Sequence, residues 1–380
     1  MIDKNKKKIS LVTQGGGQRG IFTAGVLDAF LENKFDPFSL YVGTSAGALN
    51  LSSYISRQSN LAKEFILDFS SQSNFFNLKE YIRGHNSLNL NWGISQIGRD
   101  GGLPLDFKKA HETLMNGRHA LACLTESTSL RDEYFPLYRK NWKEVLIGTS
   151  SVPILCSQPI KIGAKHYFDG GVSAQVPIHK AWSLSSDTII VIRTEPIAFE
   201  KKIDIETIIK WKLQIMESLP NYWSKFKYRK TLEKFSDWQT NVRNKYLDYR
   251  AALKEKMSNI HHNSEHNIEH TPQLAWESAD ESYFNLIVNE IKYEKTPTHA
   301  KLLDIMTKHY QNMVDTENFI HNPPKNVNIL QIAPPKQLQA RVLMSKKDDL
   351  NSDYEMGYET GLKFLNENFD ELMSNKYVKF

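Results

Sequence analysis

Short apolar runs that end near glycine and lead into helical segments recur through the first 200 residues of this chain. The run Ile9–Thr13 precedes a glycine triplet and a helical pattern over 21–31, and the run 38–42 precedes another glycine and a helix of small residues over 46–55. Two later runs, 119–124 and Thr188–Ile192, lack polar alternation, as strands covered by helices on both faces do. The pattern predicts an α/β sheet with its functional site at the carboxyl ends of the strands.

Composition excludes several classes of protein. Of the 380 residues, 40% are hydrophobic and 24% charged, which excludes a disordered chain, and two cysteines exclude a disulfide scaffold. The formal net charge of +5 is too small to argue for nucleic acid. No apolar stretch has the length of a Sec signal or a membrane span. We therefore expect a cytoplasmic protein that can sit on a membrane surface without crossing it.

The pentapeptide Gly43-Thr-Ser45-Ala-Gly47 has the form G-x-S-x-G and lies between a predicted strand and a predicted helix. This is the context of a nucleophile elbow, in which the serine occupies a sharp, strained turn that exposes its Oγ atom. Glycines two positions before and after the serine let neighbouring backbone approach closely. Catalysis by Ser45 and a purely structural turn that packs a helix on the sheet both stay open at this point.

A glycine-rich loop, Gly15-Gly-Gly-Gln-Arg-Gly20, joins the first predicted strand to the first helix. Its spacing matches G-x-G-x-x-G, but Asp36 precedes the second strand, whereas a dinucleotide site expects an acidic residue at the end of that strand. The alternative is an anion nest, in which backbone N–H groups converge on a negatively charged oxygen. Arg19 could add charge there or fix the loop. A plain tight turn is the simplest interpretation.

The third motif, Asp169-Gly-Gly171, follows a short apolar run. An aspartate before two glycines is commonly just a turn, but a serine nucleophile needs a base, and Asp169 is a candidate. A conventional α/β-hydrolase would instead use a late histidine. None of the available histidines lies in a recognisable motif; they include His179, His299, His309 and His321.

In chain order, the three motifs resemble the patatin-like phospholipase family, which combines a G-G-G-x-R/K-G loop, a G-x-S-x-G elbow and a D-G-G/A motif. The segments 149–153 and 104–106 resemble the family's small-residue segment before a proline and its P-x-D. The run 51–58 resembles a bacterial branch of the family. The resemblance covers about residues 9–200.

The resemblance implies an α/β fold, a three-layer α/β/α patatin-like sheet with a serine–aspartate dyad, plus a mostly helical C-terminal region. Ser45 would be the nucleophile and Asp169 the general base. The oxyanion hole would involve Gly15, Gly16, Gly17, Arg19 and Gly20, with Gly43 and Gly47 in the elbow and Gly170 and Gly171 in the D-G-G motif. No cofactor and no metal is implied.

The implied activity is hydrolysis of a phospholipid or other lipid ester through an acyl-serine, of the phospholipase A or lysophospholipase type. Two alternatives stay open. One is an α/β-hydrolase-type esterase with a Ser-His-Asp triad, and the other is a non-catalytic lipid-binding module on the same fold. The intact pair of Ser45 and Asp169 argues against the second. Nothing in the sequence specifies an oligomeric state.

Composition changes after about residue 200. Residues 201–260 hold fourteen Lys/Arg against seven Asp/Glu, a net charge of +7, together with three tryptophans. A solvated helical surface and docking to an anionic membrane are equally good interpretations, and both rank above nucleic-acid binding. We predict a catalytic domain over 9–200, a basic, aromatic, mostly helical segment over 201–322, and a C-terminal strand and helix over 323–380 that can pack on the catalytic domain.

Overall fold

The computed structural model describes residues 8–77, 87–115, 117–153, 155–156, 159–197 and 297–374. Residues Met1–Lys202 and Lys308–Phe380 group into one compact unit, to which the following description applies. A second unit, Ile203–Thr307, falls almost entirely outside the described residues. The basic segment 201–260 lies outside the described residues, so its helical and membrane-docking interpretations stay predictions. The predicted division at 201–322 also stays a prediction.

One mixed sheet of eight strands runs through the described part of the chain. Its strands are β1 (Ile9–Thr13), β2 (Leu40–Thr44), β3 (His119–Glu126), β4 (Asp132–Pro136), β5 (Ile160–Ile162), β6 (Lys165–Asp169), β7 (Thr188–Ile192) and β8 (Asn328–Ile332). The order is β5-β6-β3-β2-β1-β7-β8, with β4 paired to β3. Neighbouring strands are parallel along β3-β2-β1-β7-β8, whereas β4 and β6 both pair antiparallel with β3. Thr13 lies opposite Gly43 and Ile192, so three strands end at one edge.

Helices cover both faces of this sheet. They are α1 (Gly20–Glu32), α2 (Ala46–Ile55), α3 (Leu61–Glu64), α4 (Leu90–Gln96), α5 (Phe107–Thr113), α6 (Trp142–Thr149), α7 (Gly171–Ala174), α8 (Ile178–Ser183), α9 (Pro297–His321) and α10 (Lys347–Ser374). A 3₁₀ turn over Gly17–Arg19 precedes α1, and a π-helical turn over Phe65–Phe69 follows α3. Within the described ranges, no helix combines the length and the apolar character that a membrane crossing requires.

Two apolar cores lie on opposite faces of the sheet. Successive strand residues point to opposite faces, and in β1 Leu11 joins the core beneath α1 and α2 while Val12 joins the core beneath α8. In β7, Ile190 and Ile189 divide in the same way. Because both faces are covered, the strands need no polar alternation. The predicted three-layer α/β/α sheet with a helical C-terminal region is therefore confirmed.

The C-terminal helix α10 packs on α1 at backbone contact distance. A Cβ atom at Gly25 would lie 2.2 Å from Tyr354 O, and one at Gly357 would lie 2.2 Å from Phe22 O. The sequence predicts a closing helix over 354–369, and the structure extends it to Lys347–Ser374. Polar residues, and the glycines that this close packing requires, obscure the helical periodicity at its start.

Candidate active site

Ser45 lies in the sharp turn between β2 and α2. Its backbone has φ 53° and ψ −125°, a conformation that costs a residue other than glycine about 1–3 kcal/mol. The Ser45 N–H donates to Thr149 Oγ1 at 2.9 Å, and Thr149 Oγ1 donates to Cys123 O at 2.5 Å. The end of α6 and strand β3 therefore hold the turn, and Ser45 is left half-buried.

The two elbow glycines are required by close backbone contacts. A Cβ atom at Gly43 would lie 2.7 Å from Ala48 N, and one at Gly47 would lie 2.6 Å from Thr13 O. Real Cβ atoms essentially never come this close to backbone, so larger residues would push α2 away from the sheet. The sequence therefore folds into a tight elbow that leads from the strand directly into the helix.

Asp169 is the last residue of β6. Its backbone N–H donates to Ser151 O at 2.9 Å, and its side-chain Oδ1 accepts the Gly171 N–H at 2.6 Å. A Cβ atom at Gly170 would lie 2.2 Å from Cys123 O, so the D-G-G turn follows β3 closely. These contacts fix both the backbone and the carboxylate of Asp169.

The fold brings Ser45 and Asp169 together from distant parts of the sequence. The Ser45 side chain lies close enough to the Asp169 carboxylate to lower its pKa. Burial raises the pKa of Asp169 to about 6, while the hydrogen bonds from Gly171 and Ser45 limit the rise. A carboxylate with this pKa is ionised at neutral pH yet more basic than an ordinary aspartate. The pair can therefore transfer a proton from the serine to the carboxylate.

The glycine loop after β1 lies beside the elbow, since a Cβ atom at Gly15 would lie 3.3 Å from Ser45 Cβ. The Gly15 N–H donates to Gln175 O at 3.0 Å. By contrast, the N–H groups of Gly16 and Gly17 donate to no acceptor within the described residues. Two adjacent backbone donors, directly after the glycine that lies beside Ser45, are thus available to bind an anion.

Arg19 and Gly20 shape this loop. The Arg19 guanidinium forms an ion pair with Glu195 at 2.8 Å, and its backbone N–H donates to Gly16 O at 3.2 Å. The Gly20 N–H bonds to carbonyls of the 3₁₀ turn. A Cβ atom at Gly20 would lie 3.1 Å from Ala46 Cβ, so α1 and α2 touch at this point. The structure therefore places Arg19 and Gly20 as supports of the loop.

Sequence reasoning missed Gln18, which fastens the loop on two sides. Its N–H donates to Val342 O at 2.9 Å, and its Oε1 accepts the Ser345 N–H at 2.9 Å. Its Nε2 donates to Ser70 Oγ and Ser71 Oγ, each at 3.1 Å. A glutamine in a glycine-rich turn gives no sequence signal, because nothing in the motif shows that distant segments surround it.

We expect Gly17→Ala to lower the free energy of unfolding by about 3 kcal/mol or more. Gly17 has φ 59°, and a Cβ atom there would lie 2.2 Å from Val342 O. Gly163 is the matched control, because it has φ 62° with no atom within 4 Å of an added Cβ. Gly163→Ala should therefore cost only the backbone contribution, about 1–2 kcal/mol. Urea unfolding measures both, and equal losses would contradict the close contact between the loop and Val342.

One of the late histidines lies near the D-G-G turn. The Nδ1 atom of His309, in α9, is 2.6 Å from Gly171 O. The side chain of His299 lies outside the described residues. Among the residues that the structure describes, the carboxylate whose pKa the Ser45 side chain lowers is Asp169.

The other two histidines have local contacts. The ring centroid of His179 lies 4.5 Å from that of Phe319, and burial lowers the pKa of His179. His321 Nε2 lies 3.9 Å from Glu317 Oε2. In the part of the chain that the structure describes, no three His, Cys, Asp or Glu side chains group in a way that could hold a metal ion.

Two family models match this chain. Residues 11–182 match the patatin-like phospholipase model, and this range contains all three motifs. Residues 299–373 match a domain of unknown function, DUF6363, and this range contains most of α9, all of β8 and most of α10.

Several known proteins are similar to this chain over most of its length. The uncharacterized protein YjjU of Escherichia coli (strain K12) is 27% identical over 358 residues, which cover 94% of this chain and 77% of YjjU. The crystal structure of VipD from Legionella pneumophila matches with 12% identity and a TM-score of 0.36, covering 95% of this chain and 67% of VipD. The complex of SpcU with ExoU from the type III secretion system of Pseudomonas aeruginosa matches with 11% identity and a TM-score of 0.23, covering 97% of this chain and 90% of the matched chain.

Proposed function

Through residues 11–182 the chain belongs to the patatin-like phospholipase family, and we propose that it hydrolyses lipid esters with Ser45 as nucleophile and Asp169 as general base. The observation that carries the proposal is that Ser45, on a strained elbow, lies beside a buried carboxylate whose pKa is raised to about 6. A binding module would have no need for a strained serine facing a basic carboxylate. The pair therefore favours catalysis over lipid binding alone.

In the acylation step, the Ser45 Oγ atom attacks the carbonyl carbon of the ester while its proton moves to the Asp169 carboxylate. The carbonyl oxygen gains the negative charge, and the N–H groups of Gly16 and Gly17 bind it. One such donor typically contributes about 3 kcal/mol to lowering the barrier. The tetrahedral intermediate then collapses, and the alcohol or lysolipid leaves with the proton from Asp169. We therefore propose that Gly16 and Gly17 form the oxyanion hole. Gly15, Arg19 and Gly20, which the sequence also predicts for it, would instead support the loop.

In the deacylation step, water attacks the acyl-serine carbonyl and Asp169 accepts the water proton. The same two N–H groups bind the second oxyanion. Collapse returns the proton to Ser45 Oγ and releases the fatty acid. Both half-reactions use one base and one oxyanion hole, as expected for a hydrolase of the phospholipase A or lysophospholipase type.

Mass-spectrometric product analysis on a mixture of bacterial lipids tests this function. The wild-type protein should release free fatty acids together with the matching lysolipids or deacylated headgroups. Ser45→Ala is the control, since it keeps the elbow backbone and removes the nucleophile. Release of the same products by Ser45→Ala, or no release from any lipid or soluble ester by the wild type, would contradict the proposal.

The rate should fall at acid pH because only the ionised form of Asp169 accepts a proton. With a pKa of about 6, kcat/KM for a neutral nitrophenyl ester should lose about a factor of ten per pH unit below pH 5 and level off above pH 7. The substrate does not titrate in this range, so the inflection reports the free enzyme. A rate that stays constant between pH 4 and 7 would exclude Asp169 as the base.

We also propose that the basic segment 201–260 contacts anionic membrane surface. Its net charge of +7 would attract anionic headgroups by about 1 kcal/mol per cation close to the surface, and salt would screen this attraction. Binding to anionic liposomes should therefore weaken as salt rises. It should disappear when Lys225, Lys227, Arg229 and Lys230 are replaced by glutamine, while activity on a soluble ester survives. Co-sedimentation measures binding, and a wild type that ignores anionic liposomes at low salt would rule out the contact.

A further inference from the structure

Helix α9 contacts the D-G-G turn through two side chains. His309 Nδ1 lies 2.6 Å from Gly171 O, and Asn312 Nδ2 donates to Val172 O at 3.3 Å. The two side chains are three positions apart, so they lie on one face of the helix. The carbonyls that they contact follow shortly after Asp169 in the chain. A helix from outside the range of the phospholipase family model therefore reaches the turn that directly follows the base.

Gly171 connects this helix to the base. Its N–H donates to Asp169 Oδ1 at 2.6 Å, and its carbonyl oxygen is the one next to His309. Glycine has the greatest backbone conformational freedom of any residue. A glycine whose N–H must stay in one position therefore needs contacts from neighbouring elements to fix it. A carbonyl oxygen can only accept a hydrogen bond, so the Nδ1 atom of His309 must carry a proton and donate it. His309 thereby holds the carbonyl of the residue that orients Asp169.

Helix α9 is itself firmly anchored. Arg193, which follows β7, is 4% exposed. Its guanidinium forms a bidentate ion pair with Glu317 of α9, in which Nη1 lies 3.1 Å from Glu317 Oε2 and Nη2 contacts Oε1. Ile320 of the same helix is buried in the apolar core beneath α8. A helix held at one end by a buried ion pair and by core packing presents His309 in a fixed position.

We propose that His309 is a positioning residue of the active site. By donating to Gly171 O, it keeps the Gly171 N–H on Asp169 Oδ1 and the carboxylate directed at Ser45. It acts through Gly171 and transfers no proton to or from the substrate. This inference rests on the proposed hydrolase function, and it gives a role to the α9 part of the region of unknown function.

Kinetics of two variants on a soluble nitrophenyl ester test the role. His309→Ala should lower kcat by about 10- to 100-fold with KM nearly unchanged, because a misplaced base slows the chemical step rather than binding. His309→Asn should keep most of the wild-type kcat, since the Asn Nδ2 atom can donate from nearly the position of Nδ1. His321→Ala is the matched control, because this exposed histidine on the same helix lies beside Glu317 and should leave kcat unchanged.

The outcomes separate positioning from other roles. If His309→Ala retains the wild-type kcat, the inference is overturned. If His309→Asn loses as much as His309→Ala, with kcat down by about 10³-fold or more, the ring itself acts as a base and the triad alternative is correct. Circular dichroism and thermal unfolding check that both variants fold. If the alanine variant does not fold, the asparagine variant still tests the role of His309.

Hydrogen–deuterium exchange provides a readout that does not depend on activity. The amides of the peptide that contains Gly171 should exchange faster in His309→Ala than in the wild type, and His309→Asn should restore the slow exchange. Equal exchange in all three proteins would overturn the positioning role. A wild type that hydrolyses no ester would refute the proposed function, and the exchange data would still decide whether His309 holds the turn.

Discussion

Asp169→Asn is expected to lower kcat for a soluble nitrophenyl ester by about 10³-fold or more, a loss similar to that of removing the serine. The asparagine keeps an Oδ1 acceptor for the Gly171 N–H, so the turn should retain its shape. It cannot accept the Ser45 proton at neutral pH. Because the serine and the carboxylate act as one unit, losing either should remove most of the rate. Initial rates of the purified variant measure the loss.

Asp28 offers a matched control for this substitution. Burial raises the pKa of Asp28 to about 6, as it does for Asp169, but its carboxylate accepts hydrogen bonds from Tyr354 OH and Asn60 N–H instead of from Ser45. Asp28→Asn should therefore keep most of the activity. Similar losses in both variants would mean that burying an asparagine damages the fold. An Asp169→Asn variant that stays active would remove the dyad from the mechanism.

The Asp169→Asn variant should also be more stable than the wild type at neutral pH. The ordinary pKa of an aspartate is 3.8, and the folded protein raises that of Asp169 to about 6, so the folded state binds this proton more tightly than the unfolded chain. The stability that Asp169 contributes is full below about pH 4 and is lost as the pH rises to about 6, a difference of about 3 kcal/mol. The asparagine side chain does not ionise, so urea unfolding should show a gain at pH 7 that is absent at pH 4.

The elbow could be predicted from sequence because its requirements are local. A strand, a sharp turn and a helix must follow one another within a few residues, and glycine is needed at Gly43 and Gly47 for close backbone contact. The helix predicted over 46–55 coincides with Ala46–Ile55, and the strand Thr188–Ile192 is found as predicted. In such segments, periodicity and turn chemistry agree with the tertiary structure.

Strands β4 and β5 escaped prediction because their local patterns are weak. Asp132–Pro136 has no apolar alternation, and Ile160–Ile162 alternates over only three residues, too few to indicate a strand. Pairing of β4 with β3 and of β5 with β6 is what makes them strands. Likewise, the sequence offers Gly15 as an oxyanion donor, but only the fold brings Gln175 O against its N–H. Pairing between distant segments decides these features, and no local pattern reports it.

His309 illustrates the same limit. The sequence identifies it only as one of several late histidines without a motif, each a candidate for a triad. Its contact with Gly171 depends on α9 lying against the D-G-G turn, which follows from the ion pair between Arg193 and Glu317 and from core packing. Neither residue of that pair carries a recognisable signal in the sequence.

Ser45→Ala is expected to lower kcat on the soluble ester by about 10³-fold or more while the protein stays folded. The hydroxyl is the group beside Asp169, and the backbone hydrogen bond from the Ser45 N–H to Thr149 does not depend on the side chain. Initial rates and thermal unfolding measure the two effects. Activity that survives in a folded variant would exclude Ser45 as the nucleophile.

Ser45→Gly provides a control that separates activity from stability. At φ 53° and ψ −125°, glycine avoids the strain that serine or alanine bears, so Ser45→Gly should be more stable than Ser45→Ala by about 1 kcal/mol. Both variants should be inactive. A glycine variant that is less stable than the alanine variant would mean that the turn is not strained.

The reaction with a fluorophosphonate, followed by peptide mapping in a mass spectrometer, tests most directly that Ser45 and Asp169 form a catalytic dyad. The probe reacts only with a serine whose hydroxyl has been activated. We expect a single adduct on the peptide that contains Ser45 in the wild type, far slower labelling in Asp169→Asn, and wild-type labelling in Asp28→Asn. An adduct on another serine, or equal labelling rates in the wild type and Asp169→Asn, would contradict the dyad.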